Sequence, residues 1–205
     1  MRTITFLTIL TLLIALPWGN KINAQAHAAG DVSLNAGVSL GVYGYGWYSG
    51  VLYSNVKRTG IVPISASLNF GVSDMFSVGG FAGYYSRGYK YTYDNRGNSI
   101  VYKDKFTNIA FGAQGTFHAV PFFNDAFDTD IDDEKVDFYA RLLLGYETYS
   151  WKYDNPYLEG TNTTGSVIFG PVVGVRYMFN PNLGVYLEGG RGAYGWGNIG
   201  LSFKL

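Results

Sequence analysis

The chain has 205 residues, with 28 glycines, 18 tyrosines, no cysteine, a formal net charge of zero, and only 15% charged residues, against about 25% in typical soluble domains. An aromatic content of 18% argues against a disordered chain. The lack of cysteine excludes a disulfide framework and a thiolate metal site. Because there is no basic cluster, a nucleic-acid partner is not expected.

The N-terminus has the pattern of a secretory signal peptide. Arg2 precedes an apolar stretch over residues 4–16, and the small-x-small sequence Ala24-Gln25-Ala26 follows it. The stretch is too short for a transmembrane helix, which needs about 20 apolar residues. We therefore predict a signal peptide over residues 1–26, cleaved after Ala26, and a single mature domain over residues 27–205.

Beyond residue 31, apolar residues alternate with small or polar residues, which is the periodicity of a β-strand. No segment has the periodicity of an amphipathic helix. The alternation predicts eight strands of about ten residues each, long enough to cross a bilayer when tilted. The predicted segments are 32–43, 61–72, 75–87, 105–118, 137–149, 165–179, 183–191 and 196–205.

The connections between these segments differ in length on the two sides of the predicted sheet. Long, polar, tyrosine-rich connectors are expected at 45–60, 88–104 and 150–164, and tight turns at 73–74 and 180–182. Short periplasmic turns and long outer loops are typical of outer-membrane barrels, and an even strand count puts both termini on one side. The connectors at 119–136 and 192–195 do not fit this alternation.

Alternation alone does not say which face of the strands points outward. A soluble, lipocalin-like barrel would point its bulky apolar residues inward and carry charge outside. Here the second face consists mostly of serine, asparagine and glycine, which is too weakly charged for a solvated surface. We therefore predict an all-β fold, an eight-stranded antiparallel up-and-down transmembrane β-barrel whose apolar face contacts outer-membrane lipid and whose termini are periplasmic.

Short motifs in the second half of the chain resemble those of a known family. They are the sequences GAQGTFHAV and VDFYARLLLGY, Arg176-Tyr177, Asn182-Leu183-Gly184, Glu188, and the ending Gly200-Leu201-Ser202-Phe203-Lys204. These resemble the outer membrane β-barrel domain proteins of Bacteroidetes-type bacteria. The resemblance implies a small barrel of the OmpA/OmpX type, inserted by the barrel-assembly machinery, and it implies no single activity.

Five ionic residues are expected inside the barrel. They are predicted to form a lumen ion-pair cluster of Arg141, Arg176, Glu188, Lys204 and Glu147, of which the first four are expected together in the periplasmic half. Such a cluster could act as an ion-selective or gating site. Since eight strands leave a lumen barely wide enough for side chains, a structural plug of paired charges is the preferred interpretation.

His118 and Asp137 flank the connector at 119–136 and are predicted to form a hydrogen bond that fastens the hairpin. A lipid-modifying enzyme of this fold would need a serine, a histidine and a carboxylate on the lipid-facing outer side. His118 is expected at the wrong end and inside the lumen, and His27 adjoins the cleavage site. We therefore predict no enzyme activity and no cofactor.

The connector at 119–136 is strongly acidic. Asp128, Asp130 and Asp132 have the alternate spacing of a calcium loop, but Asp133 stands where that loop needs glycine and Tyr139 where it needs glutamate. No metal site is predicted. A solvated periplasmic turn, anchored at the membrane edge by Phe122 and Phe123, is the preferred interpretation.

The sequence favours a structural or surface-interaction role through the extracellular loops, whose aromatic residues suit an extracellular protein or glycan ligand. An interfacial girdle of aromatic side chains is the alternative explanation of those residues. A small channel or a carrier of small apolar molecules is the second functional hypothesis. A lipid-modifying enzyme is the third.

Overall fold

A computed structural model describes residues 25–42, 57–95, 98–153, 160–192 and 195–205 of the chain. Its eight strands form one closed antiparallel barrel in which each strand pairs with the next and β8 pairs with β1. The predicted fold class is confirmed. The strands are β1 (Val32–Val42), β2 (Lys57–Gly71), β3 (Phe76–Asn95), β4 (Asn98–His118), β5 (Val136–Tyr153), β6 (Gly160–Asn180), β7 (Leu183–Gly190) and β8 (Gly195–Lys204), and helix α1 is Ala119–Phe127.

Four central strands, β3 to β6, are longer than the segments predicted for them by 5 to 7 residues each. β3 to β6 contain 18 to 21 residues each, and the β3–β4 ladder continues to the pair Asn95 and Asn98. The connector predicted at 88–104 is therefore almost entirely strand, and much of the one at 150–164 is too. The tyrosines, lysines and threonines of these two segments are polar, which from sequence favours a loop. Tyrosine and threonine nevertheless have a high propensity for strands, which explains the longer ladders.

The connector at 119–136 contains a helix that the sequence analysis did not predict. Helix α1 follows β4 directly and ends at Asp128, whose φ of 51° is left-handed. Pro121 is tolerated because the first turn of a helix needs no hydrogen-bonded N–H there. Nine residues are too few to show a clear helical period. Within the described ranges, no helix is long and apolar enough to span a membrane.

The two faces of the strands differ sharply in exposure. Serine, asparagine and glutamine side chains such as Ser67, Asn69 and Gln114 are buried inside the barrel. Large apolar side chains are exposed around its outside, including Leu40, Leu68, Phe70, Phe111, Leu142, Leu144, Phe169, Val173, Leu187 and Leu201. The barrel thus buries many polar side chains in its interior and exposes large apolar side chains on its outer surface, unlike a soluble domain.

The interior has two layers. We call the end that carries residues 25–31, the turns at 72–75 and 181–182, and α1 the terminal end. His118, Asp137, Arg141, Arg176 and Glu188 lie toward this end. Beyond them lies an apolar cluster formed by Phe81, Tyr85, Phe106, Ala110, Leu143, Ile168 and Val172.

Glycine makes room for these large rings. Gly112 and Gly145 pair across β4 and β5. A Cβ atom added to Gly112 would lie 2.7 Å from Cε1 of Phe81, and one added to Gly145 would lie 2.8 Å from Cζ of the same ring. The Phe81 ring therefore fits only because both positions lack a side chain.

Candidate functional site

A buried ion pair lies at the centre of the ionic layer. Arg141 on β5 and Glu188 on β7 face inward, with Arg141 Nη1 2.8 Å from Glu188 Oε1 and their side chains 6% and 5% exposed. Glu188 Oε1 also accepts a hydrogen bond from the Tyr139 hydroxyl at 2.8 Å. Arg141 Nε donates to Thr116 Oγ1 at 3.3 Å. These contacts supply the partners that buried charges require.

Gly174 on β6 lets Tyr139 of β5 reach Glu188 of β7 across the strand between them. It is the neighbour of Tyr139 on one side and of Glu188 on the other. A Cβ atom on Gly174 would lie 2.7 Å from Tyr139 Cε2. The absence of that atom lets the tyrosine cross β6 and reach the carboxylate.

The Tyr139 ring also links the two buried arginines. Its centroid lies 5.2 Å from Cζ of Arg141 and 5.6 Å from Cζ of Arg176. Both distances are within the range of cation–π attraction. The aromatic face therefore offsets part of the repulsion between two guanidinium groups in one narrow lumen.

A second group of polar side chains lies closer to the terminal end. His118 Nδ1 is 2.9 Å from Asp137 Oδ2, and Arg176 Nη1 is 3.7 Å from the same oxygen. On the other side of the imidazole, Nε2 lies 3.0 Å from Ser77 Oγ. Ser77 was missed by the sequence analysis because the glycines of β3 blur its two faces.

The order Ser77, His118, Asp137 is the hydrogen-bond order of a hydrolase triad. All three side chains are buried. The His27 ring stacks on His118 with centroids 3.5 Å apart and 11° between the planes. Ser77 also pairs within the sheet on both sides, with Gly71 and Thr116. A substrate has no approach to the serine oxygen, so the arrangement fastens β3, β4 and β5 together.

The sequence predicts Lys204 in one cluster with Glu188, but in the structure Lys204 pairs with a different carboxylate. Its Nζ lies 2.7 Å from Asp31 Oδ2 and 2.7 Å from the carbonyl oxygen of Gln25. Lys204 ends β8, and its long side chain reaches the mouth of the barrel, where Asp31 stands just before β1. Asp31 was not singled out in the sequence because it precedes the first alternating segment.

Glu147 lies apart from the other ionic residues, which corrects its assignment to the cluster. It is six residues beyond Arg141 on β5, about 20 Å along a strand, and it pairs with Ala110 of the apolar cluster. Its carboxylate accepts a 3.4 Å hydrogen bond from Asn108 Nδ2. Among the residues that the structure describes, no cation lies within 4.0 Å of it.

The acidic segment after α1 is solvated. Lys135 Nζ lies 2.7 Å from Asp132 Oδ2 in an exposed pair, and this hydrogen bond holds the pKa of Asp132 below its usual value. Over the described ranges, no group of His, Cys, Asp or Glu side chains is arranged to hold a metal ion. Phe122 and Phe127 of α1 are exposed, whereas Phe123 is half-buried.

Some aromatic residues assigned to outer loops point into the barrel. Tyr102 of the predicted connector 88–104 is buried, and Trp151 of the predicted connector 150–164 packs against the apolar cluster. Their place on extended strands, rather than in loops, explains the difference. The aromatic residues of 43–56 and 154–159, like the predicted signal peptide before residue 25, lie outside the described residues.

Several solved structures of small outer-membrane proteins are similar to this chain. They include Yersinia pestis Ail, the attachment invasion locus protein, solved with the heparin analogue sucrose octasulfate (12% identity, 87% of this chain and 95% of that chain, TM-score 0.44). Pseudomonas aeruginosa provides two more, the N-terminal β-barrel domain of OprF (12%, 87% and 100%, 0.43) and the outer membrane protein OprG (11%, 87% and 97%, 0.46). No family model and no curated protein matches the chain, so the Bacteroidetes-type resemblance stays a prediction.

Proposed function

We propose that this chain is an integral outer-membrane β-barrel with a closed lumen, that it is not an enzyme, and that it has a structural or surface-interaction role. The exposed apolar belt around the barrel supports the membrane location, since no soluble monomer leaves so large an apolar surface in water. The closed ladder supports it too, because every strand has two neighbours and no sheet edge would meet lipid. Insertion by the barrel-assembly machinery and periplasmic termini are part of this proposal.

The buried ion pair of Arg141 and Glu188 is the observation that most directly supports the proposal of a closed lumen. It lies across the interior from β5 to β7, with Tyr139 and Thr116 bonded to it. Gln114 of β4 is hydrogen-bonded to Asn69 of β2 inside the barrel. Farther from the terminal end, the apolar cluster adds the rings of Phe81, Tyr85 and Phe106 to the interior. These buried side chains support a closed lumen, as expected of an eight-stranded barrel.

The long strands support a role at the cell surface. β6 has 21 residues, whereas its neighbour β7 has 8. β7 pairs with β6 only from Val172 onward, while β5 pairs with β6 as far as Gly160, so these parts of β5 and β6 project beyond β7 at the end opposite the terminal end. Residues 160–167 of β6 are exposed throughout. This projecting sheet is suited to an extracellular protein or glycan ligand.

Solute flux through the purified barrel tests the closed lumen. We expect proteoliposomes containing the full mature protein to show no swelling in small sugars, and planar bilayers to show no steady single-channel steps. A variant that shortens side chains in both layers, Tyr139→Ser and Arg141→Ser together with Phe81→Ala and Phe106→Ala, should give measurable conductance. Large, steady steps from the unaltered protein would replace this proposal with the channel hypothesis.

Cell fractionation tests the location separately. We expect the protein in the outer-membrane fraction and resistant to carbonate extraction. Lipid A composition should be the same in a deletion strain and its parent, since no substrate reaches Ser77. A changed lipid A species in the deletion strain would instead support the enzyme hypothesis.

A further inference from the structure

Three of the six residues before Asp31 are buried in the terminal mouth of the barrel, whereas Ala29 and Gly30 are exposed. We call Gln25–Gly30 the N-terminal segment. Ala26 and Ala28 are each 3% exposed and His27 is 8% exposed, although none of them belongs to a strand. A segment this deeply buried is part of the folded domain, since burial at this level requires specific partners for its polar groups.

The backbone of the segment is hydrogen-bonded on several sides. The Ala26 N–H donates to the carbonyl oxygen of Asp133 at 2.7 Å. Lys204 Nζ donates to the Gln25 carbonyl at 2.7 Å, and Arg176 Nη1 donates to the Ala26 carbonyl at 3.4 Å. The Gln25 side-chain amide reaches Asp133 Oδ2 at 3.1 Å. Gln25 and Ala26 thus join β6, β8 and the acidic segment after α1.

Further along, the segment closes against the β2–β3 turn. His27 Nε2 lies 2.9 Å from the carbonyl oxygen of Ser73, and the Ala29 N–H donates to Asp74 Oδ1 at 3.0 Å. A Cβ atom on Gly71 would lie 3.0 Å from His27 Cε1. The wall of the barrel is therefore shaped to receive the histidine ring.

These contacts bear on where the signal peptide is removed. Cleavage after Ala26 would delete the carbonyl that Arg176 binds and both residues that bind Asp133. It would also leave the new α-ammonium group of His27 buried and directly beside the Arg176 guanidinium. An additional buried cation next to a like charge is strongly unfavourable. Cleavage after Ala24 keeps these hydrogen bonds. It places the new α-ammonium group on the half-exposed Gln25, where Lys204 is a neighbour but the Asp133 carboxylate, bound by the Gln25 side chain, supplies an opposite charge.

We propose that the signal peptide is cleaved between Ala24 and Gln25, two residues earlier than the sequence pattern alone suggested, and that the new N-terminus is the plug of the terminal mouth. Ala24 supplies the small residue that must precede the cut bond. The chemistry is hydrolysis of one peptide bond, with water adding across the Ala24 carbonyl and the Gln25 nitrogen. This proposal depends on the signal peptide and is independent of any transport or binding function.

Mass measurement of the mature protein tests the cleavage site. The full 205-residue chain is expressed, purified from outer membranes and analysed by intact mass and N-terminal peptide sequencing. We expect Gln25, free or cyclised, as the first residue. A chain that begins at His27 or later would overturn the proposal.

Two matched variants make the result independent of folding, because processing is measured on pulse-labelled chains. In Ala26→Leu, cleavage after Ala24 should continue at the same bond, whereas cleavage after Ala26 would be blocked. In Ala24→Leu, the precursor should accumulate whichever of the two bonds is cleaved. Since Ala24 is also the first small residue of the Ala24-Gln25-Ala26 pattern, Ala26→Leu is the variant that decides between the two bonds. Precursor accumulation in Ala26→Leu, or normal processing in Ala24→Leu, would contradict the assignment.

Discussion

Arg141 and Glu188 lie two strands apart in the sheet yet form a direct ion pair inside the barrel, with Nη1 2.8 Å from Oε1. On the intervening strand β6, Gly174 lies between Tyr139 and Glu188, so the tyrosine reaches the same carboxylate. The carboxylate has a second donor in Tyr139. The pair and its neighbours therefore form one hydrogen-bonded layer rather than an isolated bridge.

Removing one charge from this layer should destabilise the barrel strongly. We expect Glu188→Gln to lower the free energy of unfolding by about 3–5 kcal/mol, because it leaves the Arg141 guanidinium buried without a counter-charge. Urea unfolding in lipid vesicles, followed by tryptophan fluorescence, measures this change. Replacing both partners by leucine should restore part of the stability.

The exposed pair of Lys135 and Asp132 provides the control. Asp132→Asn should leave the unfolding midpoint unchanged, since exposed ion pairs contribute little. An equal loss of unfolding free energy in Asp132→Asn and Glu188→Gln would show that burial does not increase the contribution of the Arg141–Glu188 pair, and it would contradict a stabilising ionic layer.

The alternation of the sequence predicted which side chains point into the barrel and which point outward. It did not predict where each inward side chain lies along the barrel axis. Serine and asparagine on one face, and valine and leucine on the other, directly report inside and outside. Which side chains meet inside the lumen depends on how each strand is shifted along its neighbours around the closed barrel. The sequence of one strand does not determine that shift. Glu147 and Lys204 were grouped with Glu188 for that reason, and the structure separates both of them from it.

Contacts formed by residues outside the strands were the hardest to predict. His27 and Asp31 carry no periodic signal, and their partners, His118 and Lys204, are 91 and 173 residues away in the chain. Only closure of the barrel brings them together. The length of β3 and β4 was underestimated because the composition of their ends is polar, as in a loop, while the backbone pairing continues to Asn95 and Asn98.

The N-terminal segment should be held less tightly in mild acid. Burial, and secondarily the neighbouring His118, lower the pKa of His27 from 6.5 to about 4. Asp137 and Arg176 also face this ring and act in opposite directions. In the released segment, His27 takes up a proton near its ordinary pKa of 6.5, whereas in the docked segment it does so only near pH 4. The docked state is therefore fully stabilised above pH 6.5 and loses stability as the pH falls from 6.5 to about 4. Below pH 4, His27 is protonated in both states and the stability falls no further.

Hydrogen exchange of residues 25–30 in the purified protein measures this dependence. We expect faster exchange at pH 5 than at pH 7.5, after correction for the intrinsic rate. In His27→Phe, which keeps an aromatic ring against His118 but cannot take up a proton, the difference should disappear. Identical pH dependence in both proteins would show that another group is responsible.

Filling the space beneath the Phe81 ring should disrupt the apolar cluster. In Gly145→Ala, the added methyl group would lie 2.8 Å from Phe81 Cζ, so the ring or the strand has to move. We expect a loss of about 1–3 kcal/mol in the free energy of unfolding, as is typical of overpacked cores. Gly115→Ala is the matched control, because nothing lies within 4 Å of its added atom. Equal unfolding curves for the two variants would argue against a tightly packed lumen.

A charge on the apolar belt should prevent stable insertion if that belt faces lipid. Leu144 lies in the middle of β5 and is 60% exposed, and its neighbours Ala113 and Phe169 on the adjacent strands are exposed as well. Arginine at the midplane of a transmembrane barrel costs about 2–4 kcal/mol. We therefore expect Leu144→Arg to fold into liposomes less completely than the parent, as shown by the heat-modifiable shift on gels. Thr163→Arg, exposed on the projecting part of β6, should fold normally. If both variants insert as well as the parent, the belt does not contact the hydrocarbon core, and the exposed leucines must be covered by another protein instead.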